Sequence, residues 1–251
     1  MGDGGDLRRA FEFVALADMG GTRMEPATLG TAVFDDEIPL RYDSNYLLVG
    51  ELPAEVSYED VSFEARRLDR HSIMVRHEPT GQRLAPGLER MNWKVHRGVV
   101  MAHRRPPQRA VDTSAVEELD EAALRPARRA QMAGQPWATP EVVEQLLEAK
   151  RRIRDPVRAR FLAVRAGGDV VSFADLYSDR RTGQVEDVGT LDEHRNRGHA
   201  SAVVTRAVQE ARAEGCDLVF LVADADDWPM AWYRTLGFDE IGRYVKFLDE
   251  S

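Results

Sequence analysis

The sequence predicts an α/β (α+β) protein built as two lobes. Two observations predict it: the downstream half alternates between a one-faced helical period and short apolar strands, and the upstream half repeats the order of its last five elements. A length of 251 residues allows one large domain or two small ones, and it is enough to bury a core without disulfides. The connector Arg104–Gln108, in which two arginines precede Pro-Pro, divides the lobes into residues 1–105 and 106–251.

The downstream lobe is predicted to begin with two helices and three strands. Ser114 and Glu117 form a capping-box pattern, which predicts a helix from there to about Arg125–Pro126. Thr139 is the predicted cap of a second helix, with Pro140 as its first residue. Strand and turn residues then predict strands at 160–165, 170–176 and 184–191, with a hairpin turn at Gly167–Gly168.

A change of period marks the rest of the downstream lobe. Apolar residues recur at helical spacing from Ala200 to Ala211, which predicts an amphipathic helix that ends at Gly215. The apolar run Asp217–Ala223 predicts a strand buried on both faces. A short helix from about Asp227 to Leu236 and a last strand, Phe238–Leu248, complete the lobe.

The upstream lobe is predicted to repeat this order as strand, helix, strand, helix, strand. The predicted elements are the strand Tyr46–Val49, a helix capped by Ser57, the strand Ile73–Val75, a turn at Pro79–Gly81, a short helix to about Met91, and a strand from Trp93 to Met101. One repeat at low identity is weak evidence. The alternative, that the halves are two unrelated α/β segments, stays open at this point.

Composition and charge exclude several classes of function. The net charge is −9, from 34 basic and 43 acidic residues, which argues against a nucleic-acid-binding surface because phosphate contacts need a basic patch. The single cysteine, Cys216, excludes an intramolecular disulfide and zinc sites built on cysteine pairs, and the histidines show no metal-ligand spacing. The sequence has neither an apolar run of roughly 20 residues nor a secretory signal pattern, so we expect a cytoplasmic protein that binds no membrane and no metal.

The segment Arg195–Ala200 is the most informative motif, because it lies between a predicted strand and the amphipathic helix. The first N–H groups of a helix have no intrahelical partner, so they form an anion site. Gly198 and Ala200 leave room for a phosphate, and Arg195 and Arg197 add positive charge. In isolation the same motif also fits a plain turn with solvated arginines.

The order of elements around this motif resembles the GNAT superfamily of acyl-coenzyme A-dependent N-acyltransferases. The resemblance rests on the loop pattern Q/R-x-x-G-x-G/A at Arg195–Ala200, the helix and buried strand after it, and the spacing Tyr233-x-x-x-Gly237-Phe238. It covers about residue 108 to the C-terminus. It implies a mixed, mostly antiparallel twisted sheet flanked by helices, in a tandem form whose first lobe is degenerate and whose second lobe, 106–251, is the catalytic N-acetyltransferase domain.

The resemblance also implies roles for individual residues. The backbone of Val188, Gly189 and Thr190 corresponds to the strand that binds the acetyl carbonyl and the pantetheine arm, where an N–H would stabilise an oxyanion. Tyr233 corresponds to the general acid that protonates the departing thiolate, although a packed aromatic is an equal alternative. The pyrophosphate of acetyl-CoA would be held by the loop residues Arg195, Asn196, Arg197, Gly198, His199 and Ala200.

Glu186 is the candidate general base. The family's usual base position falls on Gln184, and Glu186 follows two residues later. In a regular strand Glu186, Val188 and Thr190 would point to one face, with Asp187 on the opposite face unless a bulge intervenes. The alternative is a solvated or ion-paired strand end. Trp228 and Trp232 either line an acceptor pocket or belong to the core.

The sequence therefore predicts an N-acetyltransferase that moves an acetyl group from acetyl-CoA to a primary amine by direct attack. The acceptor is a small-molecule or peptide amine, and the chain is a monomer or homodimer. In the upstream lobe Gly50–Pro53 follows the strand where the phosphate loop would lie, so this lobe is predicted to bind no coenzyme A. The alternatives are a non-catalytic acyl-CoA-binding or interaction module on the same fold, or a purely structural protein.

Overall fold

The computed structural model describes residues 3–18, 22–42, 44–153, 156–226 and 228–249. Within these ranges the α-helices are α1 (Asp3–Asp18), α2 (Tyr58–Arg67), α3 (Glu78–Arg90), α4 (Glu121–Met132), α5 (Pro140–Arg151), α6 (His199–Ala213) and α7 (Pro229–Thr235). The strands are β1 (Arg23–Ala27), β2 (Gly30–Phe34), β3 (Tyr46–Val49), β4 (Ser72–Val75), β5 (Trp93–His103), β6 (Val116–Leu119), β7 (Arg158–Ala166), β8 (Asp169–Ser178), β9 (Thr182–Thr190), β10 (Leu218–Asp224) and β11 (Phe238–Asp249). No helix in the described ranges is long and apolar enough to cross a bilayer.

The chain divides into two compact units that are not contiguous in sequence. Unit 1 comprises Met1–Gly20, Val100–Val222 and Trp228–Ile241, and unit 2 comprises Gly21–Val99, Ala223–Asp227 and Gly242–Ser251. The boundary expected after residue 105 therefore does not separate these two units, because each unit contains residues from both sides of it. Helix α1 belongs to unit 1, where Phe13 packs edge-on against Phe220 of β10 with ring centroids 5.9 Å apart.

Unit 1 holds a sheet with helices on both faces. Its strand order is β11-β5-β10-β9-β8-β7-β6, with β9 and β10 parallel and β6 to β9 antiparallel. Gly183 of β9 lies under α6, since a Cβ there would be 2.9 Å from that of Ala211. Ser178 of β8 pairs with Gly183, and Asp175 lies three residues before Ser178, so the side chains of Asp175 and Ser178 point to opposite faces of the sheet. Asp175 contacts Arg128 of α4, which therefore lies on the face opposite α6.

Unit 2 has the strand order β1-β2-β3-β4-β11-β5, with β3 and β4 parallel and β4 antiparallel to β11. Its core joins the strands to α2 and α3 through buried apolar residues that include Leu47, Val61, Leu88, Trp93 and Phe247. The capping box that Ser57 forms with Asp60 begins α2 as predicted.

Each unit contains a parallel strand pair joined by a helix: β9–α6–β10 in unit 1 and β3–α2–β4 in unit 2. The strand next to each pair comes from the other half of the sequence, because β5 lies beside β10 and β11 lies beside β4. The two halves therefore exchange their last strands. The mixed, mostly antiparallel strands flanked by helices confirm the predicted fold class.

The predicted helix from Ser114 is wrong. Residues 116–119 form the edge strand β6, in which Val116 pairs with Val164 of β7. Ion pairs from Glu117 to Arg165, at 2.9 Å, and from Glu118 to Arg160, at 2.6 Å, hold this strand. The helix starts later, at Glu121, and continues through Pro126 to Met132.

The predicted turn at Pro79–Gly81 is also wrong, because these residues form the first part of α3. Pro79 lies in the first turn, where a missing N–H costs nothing. This position of the helix is a glycine because β11 approaches closely: a Cβ on Gly81 would be 2.6 Å from Cγ2 of Val245. No element is predicted before Tyr46, where the structure has α1, β1 and β2.

Candidate functional site

A cavity of about 680 Å³ opens in unit 1 at the N-terminal end of α6. Its lining includes nine of the residues predicted to bind the cofactor or to act in catalysis: Val188, Gly189, Thr190, Arg195, Asn196, Gly198, His199, Ala200 and Tyr233. It also includes Gln131, which the sequence analysis missed because it ended the first helix at about residue 126, whereas α4 extends to Met132.

The cavity exists because two parallel strands separate. The pairing of β9 with β10 runs from Thr182↔Leu218 to Val185↔Leu221 and stops there. Beyond that point β9 continues to Thr190 and β10 to Asp224. Val188, Gly189 and Thr190 of β9 lie beyond this pairing and line the cavity, so their backbone groups are available to a ligand.

The loop before α6 presents backbone N–H groups to this cavity. Asn196 and Gly198 adopt the left-handed conformation, with φ of 61° and 83°. The first helical hydrogen bond runs from the N–H of Ala202 to the carbonyl of Gly198 at 3.0 Å, so the N–H groups of the three preceding residues point out of the helix end. With the positive end of the helix dipole, they form an anion site.

The two arginines of the loop differ in placement. Arg195 lines the cavity and forms an ion pair with Asp192 at 2.8 Å. The Arg197 guanidinium donates to the carbonyl of Glu193 at 3.0 Å and is not among the lining residues. His194, which also lines the cavity, has a buried Nδ1 without a hydrogen-bond partner among the described residues.

A β-bulge interrupts β9 at the cavity. Phe173 pairs with Gly189 and Asp175 pairs with Glu186, so two residues of β9, Asp187 and Val188, face one residue of β8. Asp187 has φ of 52°, a conformation that glycine usually occupies in such bulges. The bulge breaks the alternation expected for Glu186, Val188 and Thr190: the β8 partners of Glu186 and Thr190, Asp175 and Ser172, lie on opposite faces.

Gly189 lets two side chains approach the strand closely. A Cβ at this position would lie 2.5 Å from Cζ of Phe173 and 2.7 Å from Oε1 of Gln131. The Gln131 amide therefore packs directly on the backbone that follows the bulge. Only glycine permits this arrangement, although the φ of Gly189 itself is ordinary.

Aromatic residues of α7 form another wall of the cavity. Tyr233 is buried and packs between Trp232 and Phe238, with ring centroids 4.7 Å and 5.9 Å away. The indole of Trp232 donates to the hydroxyl of Ser201 at 3.3 Å, which ties α7 to the start of α6. Both tryptophans line the cavity, and Trp228 is 69% exposed. Trp228 therefore lies at the mouth of the cavity and not in the core.

Comparison with known proteins now identifies this segment. Residues 117–238 match the model of the acetyltransferase (GNAT) family. They form a GNAT acetyltransferase domain. A comparison with curated proteins finds no match.

The GNAT fold also extends over most of the chain in solved structures. A GCN5-related N-acetyltransferase from Kribbella flavida is similar with a TM-score of 0.61 at 20% identity, over 96% of this chain and 95% of that one. A conserved protein of unknown function from Staphylococcus epidermidis ATCC 12228 reaches 0.68 at 14% identity, over 92% and 94%. A tandem GNAT protein from the clavulanic acid biosynthesis pathway reaches 0.50 at 17% identity, over 76% and 67%. At these identities the likeness concerns the fold alone.

Glu186 lies in the GNAT domain beside the cavity but is not among its lining residues. Its carboxylate accepts a hydrogen bond from the amide of Gln184 at 2.7 Å. Burial raises the pKa of Glu186 to about 7, against the opposing effect of Lys150. Burial and the Glu186 carboxylate raise the pKa of Tyr233, so its hydroxyl stays protonated at neutral pH. Among the described residues of the chain, no cluster of histidine, cysteine and acidic side chains is arranged to hold a metal.

Proposed function

We propose that this protein is an N-acetyltransferase that moves the acetyl group of acetyl-CoA to a primary amine of a small molecule or peptide. One observation carries the proposal: the part of β9 that extends beyond its pairing with β10 and the N-terminus of α6 line the same cavity. A ligand with a diphosphate at one end and hydrogen-bonding amides in its arm fits both features at once.

The cavity's polar groups support acetyl-CoA as the donor. The N–H groups at the start of α6 and the Arg195 guanidinium suit the diphosphate. The Nδ1 of His194, which has no partner within the part of the chain that the structure describes, offers one more polar contact. The open edge of β9 at Val188–Thr190 suits the amides of the pantetheine arm. The thioester then lies near the bulge, within reach of Tyr233.

The chemistry needs one proton acceptor and one proton donor. The amine nitrogen attacks the thioester carbonyl, the carbon–sulfur bond breaks, and the sulfur leaves as a thiolate. Glu186, whose pKa is about 7, takes the proton of the attacking amine directly or through water, because a base with a pKa near the working pH is most efficient. The protonated hydroxyl of Tyr233 gives its proton to the thiolate.

The first test is calorimetry of acetyl-CoA binding, followed by measurement of coenzyme A release with a panel of amines. We expect saturable binding and release that depends on the amine. The variant Y233F should bind acetyl-CoA with an affinity within twofold of wild type and lose about 100-fold in kcat. Absence of acetyl-CoA binding at millimolar ligand would refute the proposal. Binding without turnover of any amine would instead identify a non-catalytic acyl-CoA-binding module.

Several further expectations belong to the same proposal. We propose a cytoplasmic protein, a monomer or homodimer, that binds neither nucleic acid nor membrane. We also propose that the upstream half is a degenerate copy that binds no coenzyme A. In unit 2, Glu51 and Pro53 follow β3, where the corresponding phosphate-binding N–H groups would be needed.

A further inference from the structure

A cluster of four charged side chains, of which Arg128 and Asp175 are buried and Lys150 and Asp187 are partly exposed, lies behind the bulge of β9. Arg128 of α4 is 2% exposed and Asp175 of β8 is fully buried. The Arg128 guanidinium donates to Asp175 with one nitrogen and to Asp187 with another. Lys150 of α5 completes the cluster, with Nζ 3.3 Å from Asp175 and 3.6 Å from Asp187. Two helices thus hold the bulged residue from the same face of the sheet.

Hydrogen bonds fix the cluster further. The Lys150 ammonium donates to the hydroxyl of Tyr177 at 3.1 Å, and that hydroxyl donates to Oδ2 of Asp175 at 2.8 Å. Asp175 is therefore bound by an arginine, a lysine and a tyrosine, and it anchors the cations that reach Asp187. Apolar side chains of similar volume in place of these four would avoid the cost of desolvating charges, so stability alone does not explain the cluster.

The position of Asp187 suggests that role. It is the bulged residue itself, it occupies a left-handed conformation that disfavours most side chains, and the next two residues line the cavity. Without its two cations, the carboxylate would be drawn toward water and the bulge could relax into a regular strand. Relaxation by one residue would turn Val188 and Gly189 to the opposite faces.

We propose that Arg128 and Lys150 are positioning residues that act through Asp187: by binding its carboxylate, they hold the bulge that turns the backbone of the next two residues toward the reacting thioester. The inference rests on the proposed acyl transfer for its catalytic meaning. The structural part, that cations from two helices fix the bulge, stands on the contacts alone.

The charges of this cluster also act on Glu186. Arg128 and Lys150 balance Asp175 and Asp187, so an ionised Glu186 adds a third carboxylate to two cations. Burial raises the pKa of Glu186, Lys150 lowers it, and Asp187 and Asp175 raise it further.

Other elements packed near Glu186 add few charges on this face. Tyr233 of α7 and Tyr177 of β8 are the neighbouring hydroxyls that interact with it electrostatically. Arg9 of α1 is bound to Thr182 and Asp217 at the other end of β9. Glu210, the one acidic residue of α6, binds Arg160 on the opposite face of the sheet.

The decisive experiment is an NMR titration of the Glu186 carboxyl carbon in the full chain, because it needs no activity. K150M removes a cation, so the Glu186 midpoint should rise by about one pH unit. D187N removes an anion and keeps a residue that tolerates the left-handed conformation, so the midpoint should fall by a similar amount. K150R keeps the charge and should titrate like wild type. Unchanged midpoints, or shifts in the same direction, would overturn the inference.

The effect on the backbone is tested with D187G, which suits the bulge conformation but has no carboxylate. We expect kcat to fall about tenfold, with the affinity for acetyl-CoA within twofold of wild type and faster hydrogen exchange at residues 187–189. The matched control is E118Q, which removes one acid from the Arg160 cluster on the opposite face and should leave both readouts unchanged. Wild-type exchange and kcat in D187G would refute the positioning role.

The two proposals can fail separately. If wild-type protein neither binds acetyl-CoA nor releases coenzyme A, the proposed function is wrong, while the titration and exchange data still decide whether the cluster holds the bulge. If the wild type is active and the opposite midpoint shifts are absent, the acyl transfer stands and the positioning role does not.

Discussion

Replacing Gly198 by Asp or Asn separates charge from shape at the proposed diphosphate site. Gly198 has φ of 83° and is exposed, and no atom of the described residues lies within 4 Å of a Cβ built on it. Either side chain therefore extends into open space, and both residues tolerate the left-handed conformation better than most. The two variants are nearly isosteric, so a difference between them reports the added carboxylate.

The size of the effect follows from Coulomb's law at an exposed site. One carboxylate about 6 Å from each of two phosphate charges, in a water-like dielectric, costs roughly 0.7 kcal/mol per pair. The sum of about 1.4 kcal/mol corresponds to about a tenfold weaker affinity of G198D than of G198N. Because the site is exposed, the penalty should shrink to less than about twofold at 1 M salt, where the Debye length is about 3 Å.

Calorimetry of acetyl-CoA binding at low and high salt measures this difference. We expect G198N to lose a few-fold in affinity through loop strain at both salt concentrations, and G198D to lose a further tenfold only at low salt. Thermal melts of the free proteins control for folding, and the two variants should melt within about 2 °C of one another. Equal affinities of G198D and G198N at low salt would refute the placement of the diphosphate at this loop.

Three further predictions concern stability. Because burial raises the pKa of Glu186 from 4.5 to about 7, the folded state binds more protons than the unfolded state between these pH values. In urea titrations the free energy of unfolding of wild type should therefore fall, relative to that of E186Q, by on the order of 2 kcal/mol from pH 4.5 to 7.5. If the free energies of the two proteins change in parallel with pH, the pKa of Glu186 is not raised. G189A should lose about 1–3 kcal/mol in the same assay, since its Cβ would lie 2.5 Å from the buried ring of Phe173, and a neutral result would mean that the ring can move aside. F13A should lose about 3 kcal/mol because it removes a buried ring from the contact between α1 and β10, whereas an unchanged midpoint would show that α1 is not part of unit 1.

The elements around the cavity were the most predictable from sequence. Helix α6 has a clear one-faced period, and β10 is an unbroken apolar run, so local patterns suffice for both. The start of α5 at Pro140 followed from its Thr139 cap, whose hydroxyl accepts from the N–H of Val142 at 3.3 Å. In these places propensity, period and capping agree with the tertiary structure.

Where long-range contacts decide the conformation, local patterns failed. The capping-box pattern at Ser114 is outweighed by strand pairing with β7 and by arginines 42 and 48 residues away from their glutamates. The bulge at Asp187 has no local signal, since it depends on cations from α4 and α5. Arg128 and Gln131 were missed for a related reason, because the sequence predicts that the helix stops at Pro126, whereas α4 continues with one backbone hydrogen bond fewer.

The exchange of segments between the halves also sets the order in which the protein can be completed during translation. Arg9 of α1 and its partner Asp217 are 208 residues apart in sequence. At about 5–20 residues per second, α1 leaves the ribosome roughly 10–40 seconds before its partner is made. Throughout that interval Phe13, which is 3% exposed in the finished fold, lacks the ring of Phe220 against which it packs. Helix α1 is thus buried against β10 only late in synthesis, and nascent chains should need protection of its apolar face until β10 emerges.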